Sequence, residues 1–412
     1  MWFFCTRQSP GRGNFHAGSW GVRGGAMQRV LFAIATLIAA MLVGSPVGAA
    51  EPIEPGPGPG APAELTRVYA QILRDPTNSQ LNLRYAELAE ASGKLRWALA
   101  AYERVLVNDP GNLEAQAGLQ RVRRRLQPNA TQFTAELGAV GETNPRYLPS
   151  GARAEAQALA TLAMRDERTI ADVRWRTTAL AYGLLHSNEH DLNYGYVGAA
   201  TGPVLDLAPG LLFHPALGGA ATYFDGRFFY GEAAAMATFE DYLQGLYRGL
   251  RFRVAYRDYD SFWPSQRGFY ADVVGKFSFR LTPNDLLIVS PWVRWSDIQG
   301  SVVLTPLLID VDPGAYIEGG GKVELYHGLF EWLVIGANLT LIERAYRSDI
   351  VGSLTERRRD FLVIPGAALV FPNLFAYHRD LRLEYKFQHD HSNDATVSFN
   401  DHIVAATVAA RF

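Results

Sequence analysis

Residues 381–412, LRLEYKFQHDHSNDATVSFNDHIVAATVAARF, decide the fold. Leu381, Leu383, Tyr385 and Phe387 interleave with Arg382, Glu384, Lys386 and Gln388; after a polar loop, Val404, Ala406, Val408, Ala410 and Phe412 share one face. A period of two is the pleat of a β-strand with one oily side. Segments of this kind recur back to residue 131, separated by turn signals, which is the signature of a transmembrane antiparallel barrel.

Counting them outward from that end gives about fourteen strands, at 131–142, 154–165, 169–186, 191–206, 210–223, 227–243, 246–258, 268–282, 285–297, 314–326, 329–345, 357–371, 376–388 and 399–412. Outer-membrane barrels have short periplasmic turns and longer outer loops. If the first strand rises from the periplasm, the turns on that side fall at 166–168, 207–209, 244–245, 283–284, 327–328 and 371–374, all short. The opposite connections, at 143–153, 258–267, 296–313, 346–356 and 389–399, are longer. An even strand number returns Phe412 to the periplasmic side.

The faces follow from charge. Val173 and Trp175 alternate with Arg174 and Arg176; Phe252, Val254 and Tyr256 with Arg251, Arg253 and Arg257; Phe277, Phe279 and Leu281 with Lys276, Ser278 and Arg280. An arginine at the lipid midplane costs about 2 to 4 kcal/mol, so these cations, with Arg382, Glu384 and Lys386, are expected to line the lumen. There they would pair with carboxylates such as Glu324, Glu384 and Asp272, or form a cationic constriction for anionic solutes or sugar polymers. Tyr242, Tyr247, Phe330, Trp332, Phe371 and Tyr377 are material for interfacial girdles. A soluble β-sandwich or lipocalin-like barrel would face water with its oily side.

The chain of 412 residues has a formal charge of −2 and 48% hydrophobic residues, which excludes a polyanion-binding protein by net charge. Residues 1–50 read as an upstream extension and a signal peptide: Arg29 begins it, residues 30–43 are apolar, and cleavage is expected at Ala49 or Ala50. Met27 is as good a start as Met1. The apolar run falls short of the roughly 20 residues of a spanning helix. The single cysteine, Cys5, lies upstream of that cleavage, so the mature chain would carry no disulfide. Residues 51–62, rich in Pro and Gly, read as an extended linker.

Residues 63–127 read as helices with an internal repeat. Asp75-Pro76 and Asp109-Pro110 are 34 residues apart, with Ala86, Gly93, Ala98 and Tyr102 between them at the offsets of a tetratricopeptide repeat. Small residues let paired helices approach, and Gly93 suits the turn between them. Asn82, where that family favours Trp, and Val105, where it favours Ala, are departures. So few repeats need support from the barrel or from a partner. Arg121, Arg123, Arg124 and Arg125 close the last helix, where its dipole favours cations.

Over residues 63–412 the chain resembles bacterial outer-membrane proteins that join N-terminal tetratricopeptide repeats to a barrel at 130–412. Within that class it resembles the surface lipoprotein assembly modifiers, through the stretches at 138–145 and 387–394. Exopolysaccharide-export porins are the other branch. The resemblance implies an outer-membrane protein that moves a macromolecule, a surface protein or lipoprotein, to the cell surface, with periplasmic repeats docking cargo or partner. The alternatives are an exopolysaccharide-export porin and a passive porin. Phe412 looks like the aromatic end read by the barrel-assembly machinery, although Ala410 stands where that signal often has an aromatic.

No enzymatic chemistry is expected. His186-Ser187 with His190, and His389-Asp390-His391-Ser392, are adjacent in sequence, and neighbouring strand residues point to opposite faces. His389 and His391 could face one way, but two ligands make a weak metal site. The expectation is no metal, no cofactor and no nucleic-acid partner. The run Gly319-Gly320-Gly321 reads as a close-packed or bent strand segment.

Overall fold

A computed structural model describes residues 63–412 except 110, 127–128, 172, 209–210, 244–245, 261–266, 300–301, 305–308, 312–313, 350–355 and 377. The signal, the linker, Pro110 and Tyr377 thus lie outside the described residues.

Four helices come first: α1 (Ala63–Ile72), α2 (Ser79–Ala91), α3 (Leu95–Asn108) and α4 (Leu113–Leu126), each packed on the one before. The 34-residue spacing reappears as repeated hydrogen bonds. Asn78 caps α2 by accepting from Leu81 N (3.1 Å) and donates to Asp75 (3.1 Å). Asn112 does the same for α4, accepting from Ala115 N (3.0 Å) and donating to Asp109 (3.2 Å). Such caps supply partners for the orphan amides of a first helical turn. Gly93 ends α2 at φ +71°, with Lys94 N donating to Ala89 O (2.8 Å), the left-handed closure in which a Cβ is costly. Ala86, Ala98 and Tyr102 lie in the module's apolar core with Leu65 and Val105. Asn82 is buried there as well. It donates to Pro76 O and Asn78 O and accepts from Arg104, which satisfies a polar group at a position otherwise suited to a large aromatic.

The rest is a closed antiparallel barrel of fourteen strands. In chain order they are β1 (Ala130–Glu142), β2 (Glu155–Ile170), β3 (Val173–His186), β4 (Tyr194–Ala208), β5 (Leu211–Phe224), β6 (Arg227–Leu243), β7 (Leu246–Tyr259), β8 (Arg267–Arg280), β9 (Asp285–Gln299), β12 (Gly314–Phe330), β13 (Leu333–Asp349), β14 (Arg357–Ala376), β15 (Arg379–Ser392) and β16 (Phe399–Arg411). β10 (Val302–Leu304) and β11 (Ile309–Val311) form a separate hairpin in the connection after β9. Connections at the end where β1 begins, the near rim, are short. Those at the far rim are longer, except a tight Asp225-Gly226 turn with both residues at positive φ (51° and 71°), which matches strand twist.

Three near-rim turns sit elsewhere than the sequence reading put them. β2 runs through 166–168, because Glu167 is held by cations on its own and the next strand, and the chain reverses only after Ala171, at φ 47°. His327-Gly328 is not a turn: both residues stay paired in β12, a register shift follows at Leu329, and the reversal comes at Glu331-Trp332. Pro372-Asn373 likewise lies at a register shift, in β14; Asn373 sits at φ 53° and accepts from His378 N (2.7 Å), which carries the strand to Ala376. At the far rim β15 extends to Ser392, so His389 to His391 are strand residues, not loop residues.

β16 pairs with β1 to close the barrel, from Thr134↔Arg411 to Glu142↔Ile403. At the near end Phe412 exchanges two backbone hydrogen bonds with Phe133 (3.0 and 3.1 Å). At the far end the buried Asp401 accepts from Thr143 N (3.0 Å), Thr143 Oγ1 (2.9 Å) and Asn144 N (2.8 Å). Arg146 and Tyr147, in the same connection, reach Glu189 (2.9 Å) and the Phe399 ring (4.6 Å).

Candidate functional site

Directly paired residues of adjacent strands point to one side of the sheet, so the register fixes which residues face the enclosed space. The two faces contrast sharply. Leu217, Val254, Val293, Ile317 and Val404 are more than half exposed on the outside (70, 53, 56, 57 and 58%). Glu318, Asp401, Glu324, Arg176 and Lys322 are buried on the inside. Among the described residues no helix is long and apolar enough to cross a membrane; the apolar exterior belongs to the strands.

The inner charges form clusters, most of them between neighbouring strands. Near the near rim, Glu167 accepts from Arg165 (2.6 Å), Arg176 (2.7 Å) and Arg174, and Arg176 extends to Glu240 on β6 (2.8 Å). On β6 to β8, Asp272 lies between Arg251 (3.0 Å) and Arg253 (3.5 Å), while Glu232 holds Arg253 (2.9 Å) and Arg257 (2.8 Å). The Arg257 guanidinium also lies over Tyr270 (4.1 Å) and Tyr230 (5.0 Å), a cation–π contact on two sides.

On β9, β12 and β13, Glu318 accepts from Arg294 (2.7 Å), Trp292 Nε1 (2.8 Å) and Arg344 Nε (2.9 Å). Arg344 lies over Tyr316 (4.8 Å) and donates to Tyr346 Oη (2.9 Å). The middle glycine of the run 319–321 explains itself here: a Cβ on Gly320 would come within 2.5 Å of the Trp292 indole, so only glycine leaves the ring its place. Lower on that wall, Lys322 pairs with Glu324 (2.8 Å), and Glu384 pairs with Arg382 (2.9 Å) and Lys386 (3.0 Å). Arg358 pairs with Asp360 (2.6 Å) on β14.

Of the cations singled out from sequence, the structure thus brings Arg174 and Arg176 together at Glu167, Arg251, Arg253 and Arg257 around Asp272 and Glu232, and Arg382 with Lys386 at Glu384. Lys276 shares that face, half-buried opposite Gly249, and Arg280 is exposed at the near end of β8. Tyr247 shares the inward parity of Arg251 and Arg253 on β7, so it does not belong to an outer girdle. Sequence reading passed over Glu167, Glu232, Glu240, Glu318, Arg294 and Arg344. Of these only Glu318 shares strand and parity with a residue it named, Glu324; the others lie on strands where it named no lumen residue.

These pairs neutralise the inner wall. Breaking a buried pair from one side is costly, because it strands the other charge. The wall is uneven: mid-barrel inward positions of β4, β5 and β16 include Ala200, Gly218, Ala220, Ala405 and Thr407, while β1 presents Glu136 inward at mid-strand.

The helical module has its own polar cluster. Glu90 holds Arg121 (3.1 Å), Arg125 (3.7 Å) and the Tyr102 hydroxyl (3.1 Å). Burial, then the Glu90 charge, push Tyr102 up to about 12. Burial alone would raise Glu90, but Arg121 outweighs it and holds the carboxyl below its ordinary value. Arg123 pairs with Glu103 (2.9 Å). Among the described residues no group of three or more His, Cys, Asp or Glu side chains is placed to hold a metal. His389 and His391 both lie on the outer face of β15, away from Asp390, which faces inward and is buried.

No family model matches the chain, and no curated protein matches it. Solved structures do. The outer membrane channel DcaP of Acinetobacter baumannii is 11% identical, over 69% of this chain and 97% of that one, with a TM-score of 0.42. The outer membrane protein OpdK of Pseudomonas aeruginosa is 9% identical, over 69% and 99%, with a TM-score of 0.34. A bacterial polysaccharide outer membrane secretin is 10% identical, over 68% and 98%, with a TM-score of 0.37.

Proposed function

We propose that the chain is a bacterial outer-membrane transport barrel that moves a macromolecule, a surface protein or lipoprotein, to the cell surface. The observation that carries the membrane reading is the inverted burial: isolated carboxylates and guanidinia are enclosed while leucines, valines and isoleucines cover the outside. Closed barrels are the sheet form that leaves no backbone edge in lipid. In this reading the rim with the short turns, and the helices that precede β1, face the periplasm, as short turns do in outer-membrane barrels. The repeated caps and the small core residues Ala86 and Ala98 support a tetratricopeptide-like module, a docking surface for cargo or partner. In this reading Phe412 is read by the barrel-assembly machinery, and residues 1–50 supply export. The lumen arginines, each beside a carboxylate, serve as the packed wall of the conduit rather than as a ring of free cations. No covalent step enters this reading.

The test has two levels. The full chain folded in detergent should run as a heat-modifiable barrel and insert into phospholipid vesicles; failure removes the membrane reading. Deleting the gene should strand a surface-exposed protein in the periplasm. Loss of a surface polysaccharide instead would turn the assignment to polymer export, and conductance in planar bilayers with normal surface protein would leave a porin.

A further inference from the structure

In the lumen's other charge clusters cations equal or outnumber carboxylates: Glu167 is met by three arginines, Glu318 by two, and Glu384 by an arginine and a lysine. At the far end, from β14 round to β2, the balance reverses. Asp360, Asp390, Asp401, Glu142 and Glu155 stand on five consecutive strands, one to each, and all are buried. They share the inward parity, and the register places them in line. Asp360 pairs with Ser392 and Asp390 with Phe399, so Asp360, Asp390 and Asp401 are diagonal neighbours across two ladders. Glu142 pairs with Ile403, two residues along from Asp401, and directly with Glu155.

The cations around this arc are already engaged. Arg358 pairs with Asp360 (2.6 Å). Arg344 lies in the field of Asp390 but is held by Glu318 (2.9 Å) and Tyr346 (2.9 Å). The loop cation Arg146 is taken by Glu189 (2.9 Å) and Asp191 (2.7 Å). At one end of the arc Glu155 is covered by the connection after β3, accepting from Ser187 Oγ (3.0 Å) and Asn188 N (2.7 Å), while Glu142 accepts from Gln157. The centre is different. Asp401 Oδ1 takes three neutral donors at the seam, and its Oδ2 has no hydrogen-bond partner among the described residues. Asp390 is 5% exposed, and no described group forms a hydrogen bond or ion pair with it.

Like charges side by side in a sheet repel, and enclosed carboxylates without a cation are costly. The row is therefore short of positive charge. It is also drawn out: diagonal neighbours lie roughly 7–8 Å apart, and among the described residues no three such groups converge as a metal ion requires. What fits is a chain carrying several positive charges in series. Ammonium groups joined by short carbon spacers have that form, and each brings only donors to oxygens that lack them. We infer that the inward face of β14 to β1 at the far rim, centred on Asp390 and Asp401 with Asp360 and Glu142 beside them, is a binding site for a linear polyamine. It lies across the far end of the seam and is independent of any cargo.

The experiment titrates spermidine by calorimetry, at neutral pH and low salt, into the full chain folded in detergent with its heat-modifiable band verified. The wild type should bind spermidine at one site, more tightly than magnesium ion or the monoamine propylamine, and sodium chloride should weaken it. Asp390→Asn should weaken binding at least about tenfold, the worth of a charged hydrogen bond. D390N/E142Q should weaken it further, and Asp390→Glu should keep part of it. Asp166→Asn, on the outer side of the near rim, should change nothing. Magnesium bound as tightly as spermidine would make the arc a general counterion surface and overturn the polyamine assignment. No binding by the wild type, or full binding by D390N/E142Q, overturns the site. Should Asp390→Asn lose the heat-modifiable band, Glu142→Gln alone carries the test, and its full binding is the overturning result. A wild type without that band fails the barrel reading instead.

Discussion

The helical module and the barrel bury opposite things. In the module Leu65, Tyr102 and Val105 are fully enclosed and the ion pairs lie outside; in the barrel Glu318 and Asp401 are enclosed and Val293 and Ile317 lie outside. One chain thus carries two solvents in its design. The module follows the rule for water, where apolar burial drives folding. The barrel follows the rule for lipid, where the costly groups are the polar ones and they retreat to the lumen.

The contrast breaks most visibly at the barrel's buried charges. Glu318→Ala strands Arg294 and Arg344, and losing one partner of a buried pair costs about 3 to 5 kcal/mol. Urea titration of the detergent-folded barrel should show that loss while the helical circular dichroism of the module stays intact. An unchanged midpoint would mean the pairs are idle.

Next comes the exterior. Val293→Arg places a cation on the apolar face at mid-strand, which costs about 2 to 4 kcal/mol at the bilayer midplane. Folding yield into vesicles should fall, and the same change in a detergent micelle should matter less. Equal behaviour in both would show that this face does not meet hydrocarbon.

The smallest effect belongs to the module. Glu90 has its pKa lowered in the folded state, so its pairing stabilises the helices above the ordinary carboxylate value of 4.5 and that stability is lost as the pH falls through the lower folded value. A hydrogen-bonded charge of this kind is worth about 1.5 to 3 kcal/mol before solvent screening. Glu90→Gln should lower the module's thermal midpoint at neutral pH and flatten its acid dependence, with no change in barrel unfolding. An acid profile identical to wild type would remove Glu90 from the account.

Much of this fold was legible because a membrane strand has a strict period. The segment read as 227–243 is β6 itself, and the parity that put Arg251, Arg253 and Arg257 on one face holds through β7. What misled was local punctuation. Pro372-Asn373 and His327-Gly328 are turn signals by composition, but pairing resumes at Ala376 after the first and continues through the second, so the strands run past both. His389 and His391 looked like loop residues because the polar run begins before the strand ends. The partners of Glu318 could not be read at all: Arg294 and Arg344 meet it only because register aligns three strands, and register is set by pairings far apart in sequence.

The closure between β1 and β16 has a consequence in time. Thr143 and Asp401 are separated by 258 residues of chain, yet they hold the far end of the seam together. Such a contact carries a large loop-closure entropy and cannot help until everything between is arranged. Until that seam forms, β1 and β16 each present an unpaired edge, the kind of edge that pairs with other strands. Closure therefore depends on both ends of the barrel sequence at once: the sheet has no sealed edge until β16 meets β1.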